Sequence, residues 1–290
     1  MTGALLRAIF PRGSALLRVV VVCAGAAGNA AAEQLPLWEA GLGATVISFP
    51  HYRGSDERRS WVLPFPYVVY RGEYLQADEK RVRGLFFKTE RTELDISVSG
   101  TPPVDSSKND ARRGMPDLDA TLEIGPSLNF LLARSDDRKA RFELRLPVRA
   151  ALATDFTHVD FAGWLFQPNL NFDLRDAFGH PGWKFGMLAG PMFSDGRYNQ
   201  YFYGVEPAFA TATRPAYNAH GGYAGTQLLT SLSKRFRRYW VGAFARWDTL
   251  NNAAFDDSPL VRSNHSFAAG VAVAWILGES KERVEVNSAP

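Results

Sequence analysis

The chain has 290 residues, 46% of them hydrophobic and 22% charged, with a formal net charge of +3 and a sequence pI near 9.0. Beyond the N-terminus no run approaches the roughly 20 apolar residues of a membrane helix, which excludes a helical membrane protein. Arg7, Arg12 and Arg18 carry the excess charge, and residues 33–290 balance 30 basic against 30 acidic side chains; with no basic stripe interleaved with aromatics, nucleic acid is not an expected partner.

Residues 1–32 combine those three arginines with no acid, an apolar run opening at Val19 to Val22, and the small residues Ala30 to Ala32. That order predicts a secretory signal peptide cleaved before Glu33. Cys23, the sole cysteine, falls inside it, so the mature chain has neither a disulfide nor a thiolate metal site.

From there, segments of about ten residues place apolar side chains at every second position, the period of a strand with one apolar face. In chain order the expected strands are 37–49, 61–71, 73–78, 82–88, 92–99, 121–130, 141–149, 162–173, 183–194, 221–234, 239–248 and 267–277. At 141–149, Phe142, Leu144, Leu146 and Val148 alternate with Arg141, Glu143, Arg145 and Arg149; at 267–277, Phe267, Val271, Val273 and Trp275 share one face. Short turns such as Arg71-Gly72, Ser135-Asp136-Asp137 and Lys234 to Arg238 separate some strands. Long irregular stretches, Thr101 to Asp117, Arg197 to His220 and Asp248 to Asn264, separate others. The tail Gly278 to Pro290 is polar and expected to be disordered, beyond the closing strand.

A soluble sandwich would bury the apolar faces, but it would not leave Arg141, Glu143, Arg145 and Arg149 on an inner face. The segments also match the roughly 9–11 residues that cross a bilayer better than the five or six usual in soluble sheets. Trp38, Trp61, Tyr70, Trp183, Tyr239, Trp240 and Trp275 lie toward strand ends, where aromatic girdles sit. The fold class expected is therefore all-β: a transmembrane, antiparallel, up-and-down β-barrel of about twelve strands. Its domains are the signal at 1–32, the barrel at 33–277 and the tail at 278–290.

A set of ordered motifs runs through the same region: Pro50-His-Tyr-Arg-Gly-Ser55, Leu63-Pro-Phe-Pro-Tyr67, Gly100-Thr-Pro-Pro-Val-Asp-Ser106 and Met115-Pro-Asp-Leu118. Tyr203-Gly-Val-Glu-Pro207, Ala210-Thr-Ala-Thr-Arg-Pro-Ala-Tyr217, Gly221-Gly-Tyr-Ala-Gly225 and Asp257-Ser-Pro-Leu-Val261 follow. In these the chain resembles the MipA/OmpV family. The resemblance implies a location in the cell outer membrane and a scaffold role linking a lytic transglycosylase to a bifunctional murein (peptidoglycan) synthase. Other members are discussed as porin-like small-solute channels or surface adhesins.

No catalytic, cofactor-binding or metal-binding residues are assigned, and the chain is not expected to be an enzyme. His51, His158, His180, His220 and His265 show no metal-ligand spacing. Ser258, His265 and Asp256 could make a triad, the hydrolase alternative, but no Gly-x-Ser-x-Gly elbow accompanies them. Asp256-Asp257 lacks the pattern of a calcium loop and is read as a solvated turn. Arg53, Arg71, Arg214 and Arg246 could line a lumen opposite Glu39, Glu73, Glu93 or Glu206, either as a selective constriction or as pairs that plug it. The 203–217 loop is expected to be ordered, as a plug or as a partner surface.

Overall fold

In the computed structural model the described residues are 33–72, 75–77, 82–84, 87–155 and 157–286; the signal expected at 1–32 lies outside them. Strands dominate, in the order β1 (Glu33–Pro36), β2 (Trp38–Pro50), β3 (Arg58–Arg71), β4 (Leu75–Ala77), β5 (Val82–Gly84), β6 (Phe87–Lys88), β7 (Thr92–Thr101) and β8 (Ala120–Arg134). Next come β9 (Ala140–Thr154), β10 (Val159–Phe166), β11 (Asn169–Arg175), β12 (Trp183–Ser194) and α1 (Gly196–Tyr203). The last four are β13 (Gly222–Arg235), β14 (Tyr239–Thr249), β15 (His265–Glu279) and β16 (Arg283–Val286).

One antiparallel sheet of 14 strands contains all but β1 and β16. Most neighbours along the chain pair with each other, and the first long strand pairs the last, β2 with β15 from Glu39↔Glu279 to Ser48↔Ala269. The number exceeds the expected twelve because two expected strands each appear as two pieces. Of the 82–88 segment, β5 and β6 are described and 85–86 between them lie outside the described residues. The 162–173 segment breaks at Gln167-Pro168 into β10 and β11, both bridging β9 and β12; Pro168 has no N–H to continue a ladder.

The sheet curls strongly. Glu39 of β2 reaches Arg235 of β13, across the intervening β15 and β14. The free ends of the sheet order also meet, with β5 lying within 8 Å, Cα to Cα, of β7. Among the described residues no backbone ladder joins β3 to β7 or β5 to β7.

Polarity across this curled wall is the reverse of a water-soluble protein. On the convex face Val62 is 75% exposed and Val271 59%, with Leu42, Val46, Val68, Leu122, Trp164, Leu170 and Trp275 also open. On the concave face Glu143 is 1% exposed and Asp248 fully buried, beside Glu123, Asn129, Arg149, Gln167 and Asn171. The alternation read at 141–149 and 267–277 thus points its apolar side chains outward. Trp240 departs from that reading: it is buried on the concave face against Tyr67, Val69 and Ala274, so it belongs to no outer girdle. Its even position on β14 faces inward with Gly242 and Arg246, which the end-of-strand position alone did not reveal.

The tail also differs from expectation. After β15 the chain turns at Ser280–Glu282, and β16 pairs β1 from Glu33↔Val286 to Pro36↔Arg283, with Leu37 N donating to Glu282 O at 3.0 Å. The alternation of Arg283, Val284, Glu285 and Val286 is a strand pattern hidden by the polar average of the segment. Deleting residues 280–290 is expected to abolish amide-exchange protection at Gln34 and Leu35 while β2 and β15 stay protected. Protection persisting at those two amides would mean that β1 is ordered by something other than β16.

Candidate functional site: the interior network and its loop cap

Two features occupy the concave side: layers of ionic and amide side chains, and a cap of long loops at one end. Near the short turns, Glu39 is fully buried and is held by Arg71 at 2.8 Å and by Arg235 at 2.9 Å, and Arg235 continues to Glu279 at 3.0 Å. Glu143 is paired on its own strand by Arg141 and Arg145, and Arg145 lies 3.6 Å from Asp173. Residues two apart on a strand share a face, so Arg141-x-Glu143-x-Arg145 aims all three charges inward.

A third layer lies nearer the cap and runs across several strands. Arg149 donates to Ser97 Oγ at 3.2 Å and to Gln167 Oε1 at 2.6 Å, and sits 3.4 Å from Glu123. Gln167 Nε2 donates to Gln227 Oε1 at 2.8 Å, and Gln227 Nε2 to Asp248 Oδ1 at 3.2 Å. Asp248 ends the chain of contacts between Arg53 at 3.3 Å and Arg246 at 2.9 Å. A charge taken out of water is tolerated best when paired and hydrogen-bonded. The carboxylates of these layers, Glu39, Glu143, Glu123 and Asp248, are each ion-paired, and their side chains reach one another across the concave side.

Of the four arginines considered from sequence, Arg71 meets Glu39, one of the four acids considered with them. Arg53 and Arg246 instead converge on Asp248, a carboxylate the sequence reading passed over, although its even position on β14 marks it as inward with Trp240 and Arg246. The Arg214 guanidinium donates to the carbonyls of Phe209, Ala111 and Arg113 and pairs no acid among the described residues. Glu93 is buried, in the field of Arg141, without a hydrogen-bond partner among the described residues. Glu206 is exposed, and Glu73 lies outside the described residues.

The cap is built from the 50–57, 102–119, 195–221 and 250–264 stretches. Tyr52, Val104, Leu118, Tyr198, Phe202, Tyr203, Leu250, Phe255 and Leu260 form its apolar core, with the rings of Tyr203 and Phe255 stacked at 3.7 Å between centroids. Helix α1 was not expected in this stretch. It spans only eight residues, too few for a periodic stripe, and starts where Asp195 Oδ1 accepts from Tyr198 N at 2.8 Å. Gly163, at φ +130° in a bulge of β10, makes room for it: a Cβ there would come within 2.5 Å of Tyr198 N.

Buried arginines satisfy the loop carbonyls. Arg112 donates to Phe202 O at 3.2 Å and Pro116 O at 3.1 Å, while burial pulls its pKa below the usual arginine value. The 203–217 loop is ordered, through the bridges Val205↔Tyr217 and Thr211↔Arg214. Tyr198 OH donates to Glu123 Oε1 at 3.1 Å, and Tyr203 OH to Arg53 O at 3.0 Å, so the cap is tied to the third interior layer.

The triad considered from sequence is not assembled. Ser258 Oγ donates to Tyr203 O at 2.8 Å and accepts from Leu260 N, while His265 stacks on Trp247. Tyr217 OH donates to Asp257, which places the Asp256-Asp257 turn against the 203–217 loop. His51 Nδ1 lies 3.1 Å from Asn109 Nδ2; His158, His180 and His220 are exposed. Among the described residues no three His, Cys, Asp or Glu side chains cluster as a metal site would require.

A family model described as MltA-interacting protein MipA matches residues 42–277. No curated protein sequence matches the chain. Among solved structures, a bacterial polysaccharide outer membrane secretin is 7% identical over 83% of this chain and 99% of its own, with a TM-score of 0.38. The CymD monoaromatic hydrocarbon channel is 10% identical over 86% and 68%, at 0.29. The P. putida toluene transporter TodX is 11% identical over 85% and 68%, at 0.25. Scores at this level carry no argument, and the fold rests on its own pairing pattern.

Two outcomes follow from this geometry. Asp248→Ala leaves Arg53 and Arg246 without their shared counter-charge, and is expected to destabilise the protein by about 3–5 kcal/mol in urea unfolding, as breaking a buried pair does; a change under about 0.5 kcal/mol would remove Asp248 from the list of supporting contacts. Burial raises the phenol pKa of Tyr201 and Tyr203 to about 12, against about 10 in an unfolded chain. The folded cap then binds protons more tightly than the unfolded chain, so its stability is full below pH about 10 and declines as pH rises toward 12. Proteolytic clipping of the 195–221 stretch should rise over that window, and a flat profile would contradict the burial of these phenols.

Proposed function

Because the chain belongs to the MipA family, we propose that it is an outer-membrane β-barrel acting as a non-enzymatic scaffold for murein enzymes. The observation that carries the membrane half is the reversed polarity of the curled sheet. An apolar convex face suits lipid, a charged concave face suits an enclosed interior, and pairing of backbone groups along the strands is what a wall in lipid requires. On this reading residues 1–32 are the cleaved signal, the long loops face outward and the short turns face the periplasm. Both β1 and β16 then lie on the periplasmic side, the side where murein is built and cut.

The partner half rests on the family's name and on the filled interior. MltA-interacting describes a protein whose business is another protein. The resemblance assigns that partner to a lytic transglycosylase, joined through the scaffold to a bifunctional murein synthase. The layers at Glu39, Glu143 and Asp248, with the tethered cap, favour a plugged barrel over a solute channel.

Three measurements test this. Val271→Arg is expected to lower folding stability in lipid vesicles by about 2–4 kcal/mol if the site lies near the bilayer midplane; a loss under about 0.5 kcal/mol is what a water-exposed position would give, and would end the lipid-face reading. Purified protein in planar bilayers should show no steady conductance, and stable open channels would move the assignment to the porin-like alternative. Detergent-solubilised envelopes should co-purify a lytic transglycosylase with the tagged protein; repeated capture without one, under conditions that retain other envelope complexes, would sink the scaffold role.

A further inference from the structure

The two ends of the curled sheet differ in charge. The cap stretches 50–57, 102–119, 195–221 and 250–264 carry seven Lys or Arg against ten Asp or Glu. At the opposite end, the strand ends and turns at 134–139, 175–184 and 234–238 carry nine Lys or Arg against Asp136, Asp137 and Asp176. These three turns are neighbours. Lys139 pairs Asp176 at 2.8 Å and Arg175 donates to Arg138 O at 3.1 Å, which joins the β8–β9 turn to the β11–β12 turn. Trp183 lies opposite Lys234, whose ammonium sits 5.7 Å from that ring and 5.2 Å from the ring of Phe236. That joins the second turn to the β13–β14 turn.

Pairing does not consume this charge. Arg134, Arg138, Arg237 and Arg238 are exposed, and among the described residues no ion pair neutralises them. Nor does the register disperse it. Arg134 stands opposite Arg141 and Arg175 opposite Lys184, and like charges facing each other across a ladder cost stability. The fold is opposed by this arrangement, not served by it.

The face that these residues occupy decides what they can meet. Cross-strand partners share a face, so Arg134 lies on the concave side with Arg141. Asp173 also stands opposite Arg141, and Arg175, two residues further along β11, is on the same side. Arg237 and Arg238 form a two-residue tip, closed by Phe236 N donating to Tyr239 O at 2.7 Å. The apolar side chains of the same turns take the convex side. Trp183 and Phe185 share it with the exposed Met187, and Phe178, 69% exposed, packs edge-on against Phe185 at 5.6 Å. Tyr239 stacks on Phe236 at 4.5 Å between centroids. Aromatics therefore take the lipid side of these turns, while the unpaired arginines stand at the mouth and the tips. On that side the described residues of the three turns offer no exposed apolar centre, the feature around which protein interfaces are built. A hydrated, carboxylate-bearing polymer fits such a rim better than a folded protein's face does.

We propose that the basic rim of the short turns is a binding site for murein itself, the free carboxylates of its stem peptides accepting from Arg134, Arg138, Arg237 and Arg238. The site rests on the orientation proposed above, which turns this end to the periplasm. A guanidinium matches a carboxylate with two parallel hydrogen bonds. One exposed ion pair contributes little. The outer two tips, however, lie four strand spacings apart in the sheet order, about 20 Å along the rim, and a polymer that repeats its carboxylates engages both at once. Such a scaffold holds the substrate of the murein enzymes as well as the enzymes.

The test uses the full mature protein in uncharged detergent, sedimented with protein-free murein sacculi. The unaltered protein should enter the pellet, and about 0.5 M salt should release it. Arg134→Gln with Arg138→Gln, and Arg237→Gln with Arg238→Gln, should each raise the half-saturating amount of sacculi about tenfold, as losing two exposed ion pairs predicts. Arg262→Gln, the same change at an exposed position of the cap, should leave it unaltered. Sacculi whose carboxylates have been amidated should retain none of the unaltered protein. Absence from the pellet, binding unchanged in both rim variants, or binding indifferent to amidation overturns the site. Rim-dependent binding to phosphatidylglycerol vesicles, with none to sacculi, would assign the arginines to the leaflet and overturn it as well. Loss of transglycosylase co-purification from the rim variants, with sacculi unbound, would assign them to the protein partner and do the same. Heat-modifiable mobility on gels checks that each variant is folded. If sacculi fail while a transglycosylase still co-purifies, only this site falls; if sacculi bind and no transglycosylase does, the scaffold role falls and the site stands.

Discussion

The rest of the structure depends on one constraint: backbone N–H and C=O groups are paired strand to strand around a curled sheet, which leaves side chains to choose between two faces. Period-two alternation makes that choice for every strand at once. Because the convex face takes Val62, Val271 and Trp275, the concave face must take Glu39, Glu143, Arg149 and Asp248. Those charges cannot be left alone away from water, so their pairing is a consequence of the wall and not an ornament to it.

The interior layers in turn position the cap. Asp248 draws Arg53 inward from the stretch that follows β2, and Tyr203 hydrogen-bonds the Arg53 carbonyl. Glu123 answers Arg149 on one side and the Tyr198 hydroxyl on the other. Helix α1 is therefore fixed by the same residues that brace the strands, and the apolar cluster of Tyr52, Phe202, Phe255 and Leu260 closes over that anchor. A wide channel would need the third layer to be missing.

Among the described residues no ladder joins β3 to β7, and there local sequence opposes pairing. Pro64 and Pro66 keep β3 from presenting a complete edge, while β2 and β15, free of proline along their contact, pair from Glu39 to Ser48.

Much of this was legible in the amino-acid order. Alternation at 141–149 and 267–277 located strands and assigned their faces, because side-chain direction on a strand is local geometry. The Arg141-x-Glu143-x-Arg145 pattern announced a charged inner face, and the ordered motifs from Pro50 to Val261 named the family. Other features required the folded chain. Asp248 is an unremarkable acid until β2 and β13 bring Arg53 and Gln227 to it from positions far apart in sequence. Trp240 sits at a strand end like Trp275 yet faces inward, since only the strand's parity, not its end, decides the face. Gly278 to Pro290 looked like a solvated tail by composition, but four of its residues find a partner in Glu33 to Pro36 once β15 has brought the two termini to the same end of the sheet. Local periodicity determined the strands and their faces; which strands and side chains meet depended on the curling of the sheet and the pairing of β2 with β15, a long-range event that no short window of sequence contains.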